Sequence, residues 1–225
     1  MNGAPGDTED RGSQLPRLPP GRHGLPREFV VQNQRERLTA GAIAAVAEKG
    51  FRVTTVADVA AAAGVSRRSF YGYFSSKEEC FIDTFAILED FLLESMADAG
   101  TGQSSWAGRV RARVAALLEG FAANPDLVRF SLVAPPAAGG EFADRYRQFL
   151  ERLVAALGEA APSGRDFREP SAAAKDALAG SLASLLIGKV EAGEAEALAE
   201  IEPEVVELVL APFVGRERAA DEARR

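Results

Sequence analysis

Basic and hydroxyl-bearing side chains are concentrated between positions 66 and 73 of the 225-residue chain. Ser66, Arg67 and Arg68 are followed closely by Tyr71 and Tyr73. A guanidinium group can donate two hydrogen bonds to the edge of a guanine, and a hydroxyl group can contact a phosphate. Taken singly, each arginine would be read as a solvated residue of a short helix. As a group, these side chains have the chemistry of a surface that contacts nucleic acid.

Two short helices are predicted to position this group. Thr55 offers an N-cap for a helix with apolar residues at i, i+3, i+4 and i+7, which Gly64 ends. Ser66 caps the next helix, in which Phe70 and Phe74 lie four residues apart on the inner face and leave the arginines and tyrosines outside. A short helix, a glycine turn and a basic second helix make a helix-turn-helix, whose second helix fits the major groove of DNA.

The remainder of the chain is predicted to be helical, because alanine and leucine predominate and β-branched residues are few. A first helix over about 27–49 precedes the two short ones, and a long fourth helix begins at Lys77 and carries Phe85, Leu88 and Leu92 on one face. Five more helices follow, the last ending near Val214. We therefore predict an all-α fold with a leader (1–26), a three-helix head (27–75), a six-helix body (76–215) and a tail (216–225).

Charge separates the head from the body. The net charge of −7 averages a net +4 for residues 1–77, with 11 basic and 7 acidic residues, and a net −11 for residues 78–225, with 15 and 26. A basic head suggests a polyanionic partner. Four leader arginines fit either an arm that enters a minor groove or a solubilising tail without a role, namely Arg11, Arg17, Arg22 and Arg27.

Several classes of protein are excluded. Cys80 is the single cysteine and His23 the single histidine, so we expect no disulfide within the chain, no metal site and no cofactor. Sequence motifs of hydrolases, zinc proteases and nucleotide-binding enzymes are missing, so we predict that the protein is not an enzyme. A run long enough to span a membrane and a signal peptide are missing too, which predicts a cytoplasmic protein. We expect Cys80 to be a buried, inert thiol.

Residues 35–81 closely resemble the TetR family of bacterial transcriptional regulators. The resemblance rests on Thr-Thr-Val-Ala-Asp-Val-Ala at 54–60, Ala-Gly-Val-Ser-Arg-Arg at 63–68, Phe-Tyr-Gly-Tyr-Phe at 70–74 and Lys-Glu-Glu at 77–79. The segment 203–215 is similar to the last helix of many actinobacterial-type members. Gly72 departs from the family pattern, because many relatives carry a polar or charged side chain there.

The resemblance implies a DNA-binding, ligand-responsive and dimeric regulator. It places phosphate contacts on Thr55, Tyr71, Tyr73 and Lys77, and contacts to bases or flanking phosphates on Ser66, Arg67 and Arg68. The function implied is that of a repressor released from a near-palindromic operator by a small molecule. The alternative from another class is a helical small-molecule carrier or adaptor that does not bind DNA.

In this family the body encloses a small-molecule pocket. We expect aromatic residues to line it, with these candidates: Trp106, Phe121, Phe130, Phe142, Tyr146 and Phe149. Arg109 and Arg113 are predicted to lie on a solvated helix face. A homodimer is predicted to form through the eighth and ninth helices, by small and apolar residues that we list as Ala174, Ala177, Ser181, Leu185, Val205, Val206 and Val209.

Overall fold

The computed structural model describes residues 27–135, 140–164 and 167–225, and these contain ten α-helices and no β-strand. In chain order they are α1 (Arg27–Lys49), α2 (Val56–Ala62), α3 (Arg67–Phe70), α4 (Lys77–Gly100), α5 (Trp106–Ala123), α6 (Pro125–Val128), α7 (Gly140–Gly158), α8 (Ala172–Glu191), α9 (Glu202–Val214) and α10 (Arg216–Ala223). A π-helical turn, Arg129–Val133, continues α6, and a 3-10 helix, Ala195–Ile201, precedes α9. The all-α prediction is confirmed, and the predicted leader lies outside the described residues. Within these ranges, no helix combines the length and apolar character needed to cross a membrane.

The head consists of α1, α2 and α3 around a small apolar core. Leu38 of α1, Val59 of α2 and Phe70 of α3 are fully buried. The first two helices pack so closely that a Cβ atom added to Gly41 would lie 2.7 Å from the backbone nitrogen of Ala63. Glycine therefore allows α1 and α2 to approach at this point.

Serine and threonine caps fix where the helices begin. The hydroxyl of Thr55 accepts a hydrogen bond from the backbone of Asp58, and Ser66 and Ser76 cap α3 and α4 in the same way. Such a cap satisfies one of the backbone N–H groups that a helix leaves unpaired at its start. These local signals are why the sequence predicts the starts of α2, α3 and α4 correctly.

The body is arranged around α4, which also contacts the head. Its 24 residues span about 36 Å, and α1, α5 and α7 pack against it. Along its buried face, Phe81, Phe85, Leu88 and Leu92 join the main core. One continuous helix therefore runs from the head into the body.

Two arginines predicted to be solvated are instead partly or wholly buried. Arg113 is only 6% exposed; it donates to the carbonyl of Ala156 at 2.8 Å and to the carboxylate of Glu159 at 2.6 Å. Arg109 is half-buried and donates to the carbonyl of Ala160 at 3.5 Å. The solvated-face prediction was wrong because the C-terminal end of α7 covers this face of α5.

The end of the chain also differs from the prediction. Residues 216–225, expected to be a tail, contain α10, so the described body has seven helices rather than six. Gly215 has a φ of +82°, which turns the chain, and Ala219 is fully buried against the body. A short helix with many charged residues carries little periodic apolar signal, and this one depends on its contacts with α9.

The predicted dimer surface is only partly available. Val205, Val206 and Val209 are each no more than 1% exposed, so they belong to the core of the single chain. Ala177 and Ser181 of α8 are exposed, and Ala174 and Leu185 are half-exposed. The valine part of the prediction was wrong, because these side chains of α9 point inward.

Candidate nucleic-acid interface

The turn between α2 and α3 sets the orientation of the second helix. Gly64 has a φ of +63°, which glycine adopts without strain, and the backbone N–H of Val65 donates to the carbonyl of Ala60 at 2.9 Å. The guanidinium group of Arg37 on α1 donates to the carbonyls of Ala63 at 2.6 Å and Gly64 at 2.7 Å. Arg37 thus fixes the turn, although nothing in its local sequence pattern predicts this role.

The outer face of α3 presents the predicted cluster to solvent. Arg67, Arg68 and Tyr71 are all exposed, and the Tyr71 side chain has 59% of its surface accessible. Beneath them, Phe70 and Phe74 are buried with their ring centroids 5.6 Å apart, and the edge of Tyr71 meets Phe70 at 5.5 Å. The structure therefore leaves two cations and one phenol exposed to solvent above an anchored aromatic pair.

Ser66 contributes through its position as the N-cap of α3. Its hydroxyl accepts from the backbone N–H of Ser69 at 3.0 Å and lies 3.0 Å from the Ser69 hydroxyl. The two serine hydroxyls lie at the N-terminal end of α3, next to Arg67 and Arg68. Ser66 therefore orders the first turn of the helix on which Arg67 and Arg68 stand.

Thr55 belongs to a tightly bonded cap at the start of α2. Its hydroxyl donates to Asp58 at 2.7 Å, and its backbone N–H donates to the same carboxylate at 2.9 Å. Lys49 holds the other oxygen of Asp58 at 2.6 Å. The hydrogen bonds from Lys49 and Thr55 hold the pKa of Asp58 well below its usual value, so this carboxylate is ionised at neutral pH. Thr55 is exposed, but its hydroxyl proton is already donated to Asp58.

Tyr73 and Lys77 are turned toward the protein rather than outward. The Tyr73 hydroxyl donates to Gln34 of α1 at 2.9 Å. The Lys77 ammonium donates to the carbonyls of Thr54 at 2.9 Å and Phe51 at 3.3 Å, and it lies 5.2 Å from the centre of the Phe51 ring. Both side chains thus connect the end of α3 and the start of α4 to α1 and to the loop that follows it.

The aromatic residues predicted to line a ligand pocket fall into separate groups. Phe130, Phe142 and Phe149 are buried beside α4, where Phe85 meets both Phe142 and Phe149 at 5.4 Å. The two contacts of Phe85 are edge-on, and Phe130 meets Phe142 at a tilt of 58°. This phenylalanine cluster, defined by these four residues, lies in the middle of the body.

The other candidates have no ring contact with the phenylalanine cluster among the described residues. Tyr146 is half-buried on α7, and burial raises the pKa of its hydroxyl. Phe121 is fully buried on α5. Trp106 lies at the start of α5 and contacts Phe167 and Phe213, with ring centroids 5.7 and 5.2 Å away. The structure thus separates Trp106 from the cluster that the sequence grouped it with.

A buried carboxylate beside the phenylalanine cluster was not found from the sequence. Glu89 of α4 is 2% exposed, and Arg152 of α7 contacts one of its oxygens at 2.5 Å while Arg145 approaches the other at 3.3 Å. Both arginines keep part of their surface in solvent. This ionic bridge joins α4 to α7 across the body. Among the described residues, no group of acidic, histidine or cysteine side chains is arranged to hold a metal ion.

The fold and the anchored second helix define a helix-turn-helix protein with an all-helical body. Residues 38–84, from the middle of α1 to the second turn of α4, match the family described as bacterial regulatory proteins, tetR family. No curated protein sequence matches the chain. The head is therefore identified by its own sequence match, and the body by its shape alone.

Solved structures of bacterial regulators share the fold over 78% to 81% of the chain. The fatty acid degradation regulator FadR from Bacillus halodurans has 19% identity and a TM-score of 0.67 over 78% of this chain and 97% of its own. FadR from Bacillus subtilis, in complex with stearoyl-CoA, has 17% identity and a TM-score of 0.67 over 79% and 98%. A bacterial regulatory protein of the tetR family from Rhodococcus RHA1 has 23% identity and a TM-score of 0.62 over 81% and 97%. At these identities the likeness shows that the chain has the TetR fold.

Proposed function

We propose that this protein is a ligand-responsive transcriptional repressor that binds a near-palindromic DNA operator as a homodimer and is released by a small molecule. The observation that carries the proposal is the exposed face of α3, with Arg67, Arg68 and Tyr71, in a head that matches the tetR family. Such a protein acts in the cytoplasm, where bacterial DNA lies. The similarity of residues 203–215 to actinobacterial-type members supports placing it in that subgroup.

The proposed DNA contacts divide into two kinds. Arg67 and Arg68 read base edges, and Tyr71 donates to a phosphate, because these three side chains extend beyond the anchored face of α3. Tyr73 and Lys77 do not contact DNA themselves in this proposal. Their hydrogen bonds hold α3 and the loop between α1 and α2 in place, so that Thr55 can contact a phosphate. Gly72 supplies no side chain, so base reading depends on the two arginines.

The proposed dimer forms through the outer face of α8. Ala177, Ser181 and Leu185 recur every four residues along it and leave a shallow surface of small side chains, which allows close helix packing. Leu208 and Ala211 of α9 are half-exposed and extend this surface. Light scattering at micromolar concentration is expected to give twice the 23.9 kDa of one chain. A Ser181→Arg variant is expected to be monomeric, and a wild-type monomer would contradict the dimer.

The ligand is proposed to act through α4. A hydrophobic molecule that enters beside the phenylalanine cluster and Tyr146 would press on Phe85, and α4 would carry that movement over two turns, about 12 Å, to Lys77. Because the two heads of a dimer must contact half-sites about 34 Å apart, a change of head spacing weakens binding to both. By linkage, DNA then lowers the affinity for the ligand by the same factor.

A gel-retardation assay with the DNA upstream of the gene tests the proposal. Arg67→Ala and Arg68→Ala are each expected to cost about 1–3 kcal/mol of operator binding and to relax sequence preference, whereas Tyr71→Phe weakens binding to all sequences alike. Arg147→Ala, on an exposed arginine of the body, is the matched control and leaves binding unchanged. Affinity is expected to fall steeply with salt.

Two results would contradict this function. If all three head variants keep wild-type affinity, α3 is not the reading helix. If the purified dimer binds hydrophobic ligands but no DNA fragment, the carrier or adaptor function is the better account. A ligand that binds with equal affinity in the presence and absence of DNA would refute the coupling alone.

A further inference from the structure

The structure has a cavity of about 290 Å³ in the body, between the start of α5 and the end of α9. The start of α5, Pro162, Phe167, the end of α9 and α10 border it. Trp106, Phe167, Leu210 and Val214 give it apolar walls. Its volume is at the lower end of the roughly 300–1,000 Å³ typical of ligand pockets, so it suits a small molecule. The phenylalanine cluster takes no part in it.

Three arginines and one carboxylate border this cavity. Arg111 donates to the backbone carbonyl of Glu222 at 2.5 Å and lies 3.7 Å from its carboxylate, and Arg225 donates to the same carboxylate at 3.2 Å. Arg218 lies over the Phe167 ring at 4.8 Å, and within the described ranges no carboxylate pairs with it. The rim therefore carries a net positive charge on a body that is otherwise acidic.

Trp106 provides a second and independent observation. Its side chain is 6% exposed, and its buried indole Nε1–H has no hydrogen-bond partner among the described residues. Buried N–H donors are nearly always paired, so an unpaired one at a cavity wall is unusual. Because this nitrogen is itself inaccessible, a molecule in the cavity would meet the apolar ring of Trp106 rather than its N–H.

We infer that this cavity, bordered by Trp106 and Arg218, is a binding site for a small amphiphilic carboxylate, with the apolar part against Trp106, Leu210 and Val214 and the carboxylate beside Arg218. The positive charge of Arg218 favours an anionic ligand, because the Glu222 carboxylate already pairs with Arg111 and Arg225. Size selects a short chain or a single ring. The site is separate from the α4-linked pocket of the proposed function, and it stands whether or not that function does.

Trp106 is the single tryptophan of the chain, so its fluorescence reports directly on this site. We would titrate the full-length protein with octanoate, octan-1-ol and octylammonium, which share one chain and differ in the charge of the head group. Octanoate is expected to give a saturable change of emission at up to about 10 mM, with about tenfold weaker binding of the other two.

Variants of Arg218 locate the carboxylate. Arg218→Gln is expected to weaken octanoate binding about tenfold and to leave octan-1-ol unchanged, whereas Arg218→Lys keeps the preference for the acid. Arg216→Gln, on an exposed arginine of the same helix outside the cavity, is the matched control and leaves both affinities unchanged. Circular dichroism checks that each variant is folded. Lack of a saturable signal, an equal response to the three head groups, or wild-type octanoate binding by Arg218→Gln would each overturn the inference.

Discussion

Replacing Gly41 by alanine tests whether the close packing of α1 on α2 holds the head together. The added Cβ atom would lie 2.7 Å from the backbone nitrogen of Ala63, 2.9 Å from its Cβ and 2.9 Å from the carbonyl oxygen of Val59. Two of these three atoms belong to the backbone of α2 and its C-cap, so no side-chain rotation relieves the clash. The two helices must move apart.

The expected loss follows from two opposing effects. Alanine gains about 1 kcal/mol over glycine in a helix interior. Overpacking costs about 1–3 kcal/mol, and the upper value applies here because backbone atoms are in the way. The net result is a loss of about 2 kcal/mol in the free energy of unfolding. Gly120→Ala is the matched control, since no atom outside its own helix lies within 4 Å of the added Cβ, and it is expected to gain about 1 kcal/mol.

Urea unfolding followed by circular dichroism measures both variants. The unfolding midpoint of Gly41→Ala is expected below that of the wild type, and that of Gly120→Ala above it. Because α2 carries the turn into α3, Gly41→Ala is also expected to bind DNA more weakly under conditions where it remains folded. A Gly41→Ala midpoint at or above the wild-type value would refute the packing argument, because helix propensity alone would then explain both changes.

Three further predictions concern ionisable groups. Replacing Arg145 and Arg152 together by alanine leaves the Glu89 carboxylate buried without a partner, so we expect the free energy of unfolding in urea to fall by about 3–5 kcal/mol. Glu89→Gln is expected to lower it less, because both arginines still reach solvent. Burial raises the pKa of Cys80 to about 12, so its thiol is expected to stay protonated and unreactive toward a thiol reagent at pH 8 until the protein is unfolded. The folded-state pKa of Asp58 lies below its usual value, so its stabilising contribution is present above about pH 4 and is lost as the pH falls further; acid unfolding of Asp58→Asn is expected to show a weaker pH dependence.

A specific result would contradict each of these three predictions. If the double arginine variant and Glu89→Gln lose the same free energy of unfolding, the burial of an unpaired carboxylate is not the cause of the loss. Rapid modification of Cys80 in the folded protein would contradict its enclosure in the core. An Asp58→Asn variant with the wild-type pH profile would show that the α2 cap does not depend on ionisation.

Local signals were sufficient to predict where the helices α2, α3 and α4 begin and which residues of α3 are exposed, but not the long-range contacts of Arg37, Tyr73 and Lys77. The caps at Thr55, Ser66 and Ser76 act on backbone groups two or three residues away, and the pair Phe70 and Phe74 follows directly from helix periodicity. The exposure of Arg67 and Arg68 then follows, since they lie on the opposite side of the same short helix. For such features the neighbouring residues contain nearly all the physical information.

Contacts between distant segments could not be predicted in this way. The burial of Arg113 depends on the C-terminal carbonyls of α7, 43 residues later, and the bridge from Glu89 to Arg152 spans 63 residues. Trp106 was grouped with other aromatics by composition, but which core it joins depends on Phe167 and Phe213. A single sequence contains no signal for such pairings, because they are set by how the helices pack.

The contact between Phe51 and Phe142 limits how the head can move. Phe51 follows α1, and its ring meets Phe81 of α4 at 5.1 Å and Phe142 of α7 at 5.4 Å. The head is therefore held to the body by the continuous backbone of α4, by this ring, and by the contacts of α1 with α4, α6 and the π-helical turn. Attachment at several sites restricts rotation of the head relative to the body more than attachment through α4 alone would. In the proposed dimer, two heads restricted in this way would lose little orientational freedom on binding DNA, which favours binding without any added contact.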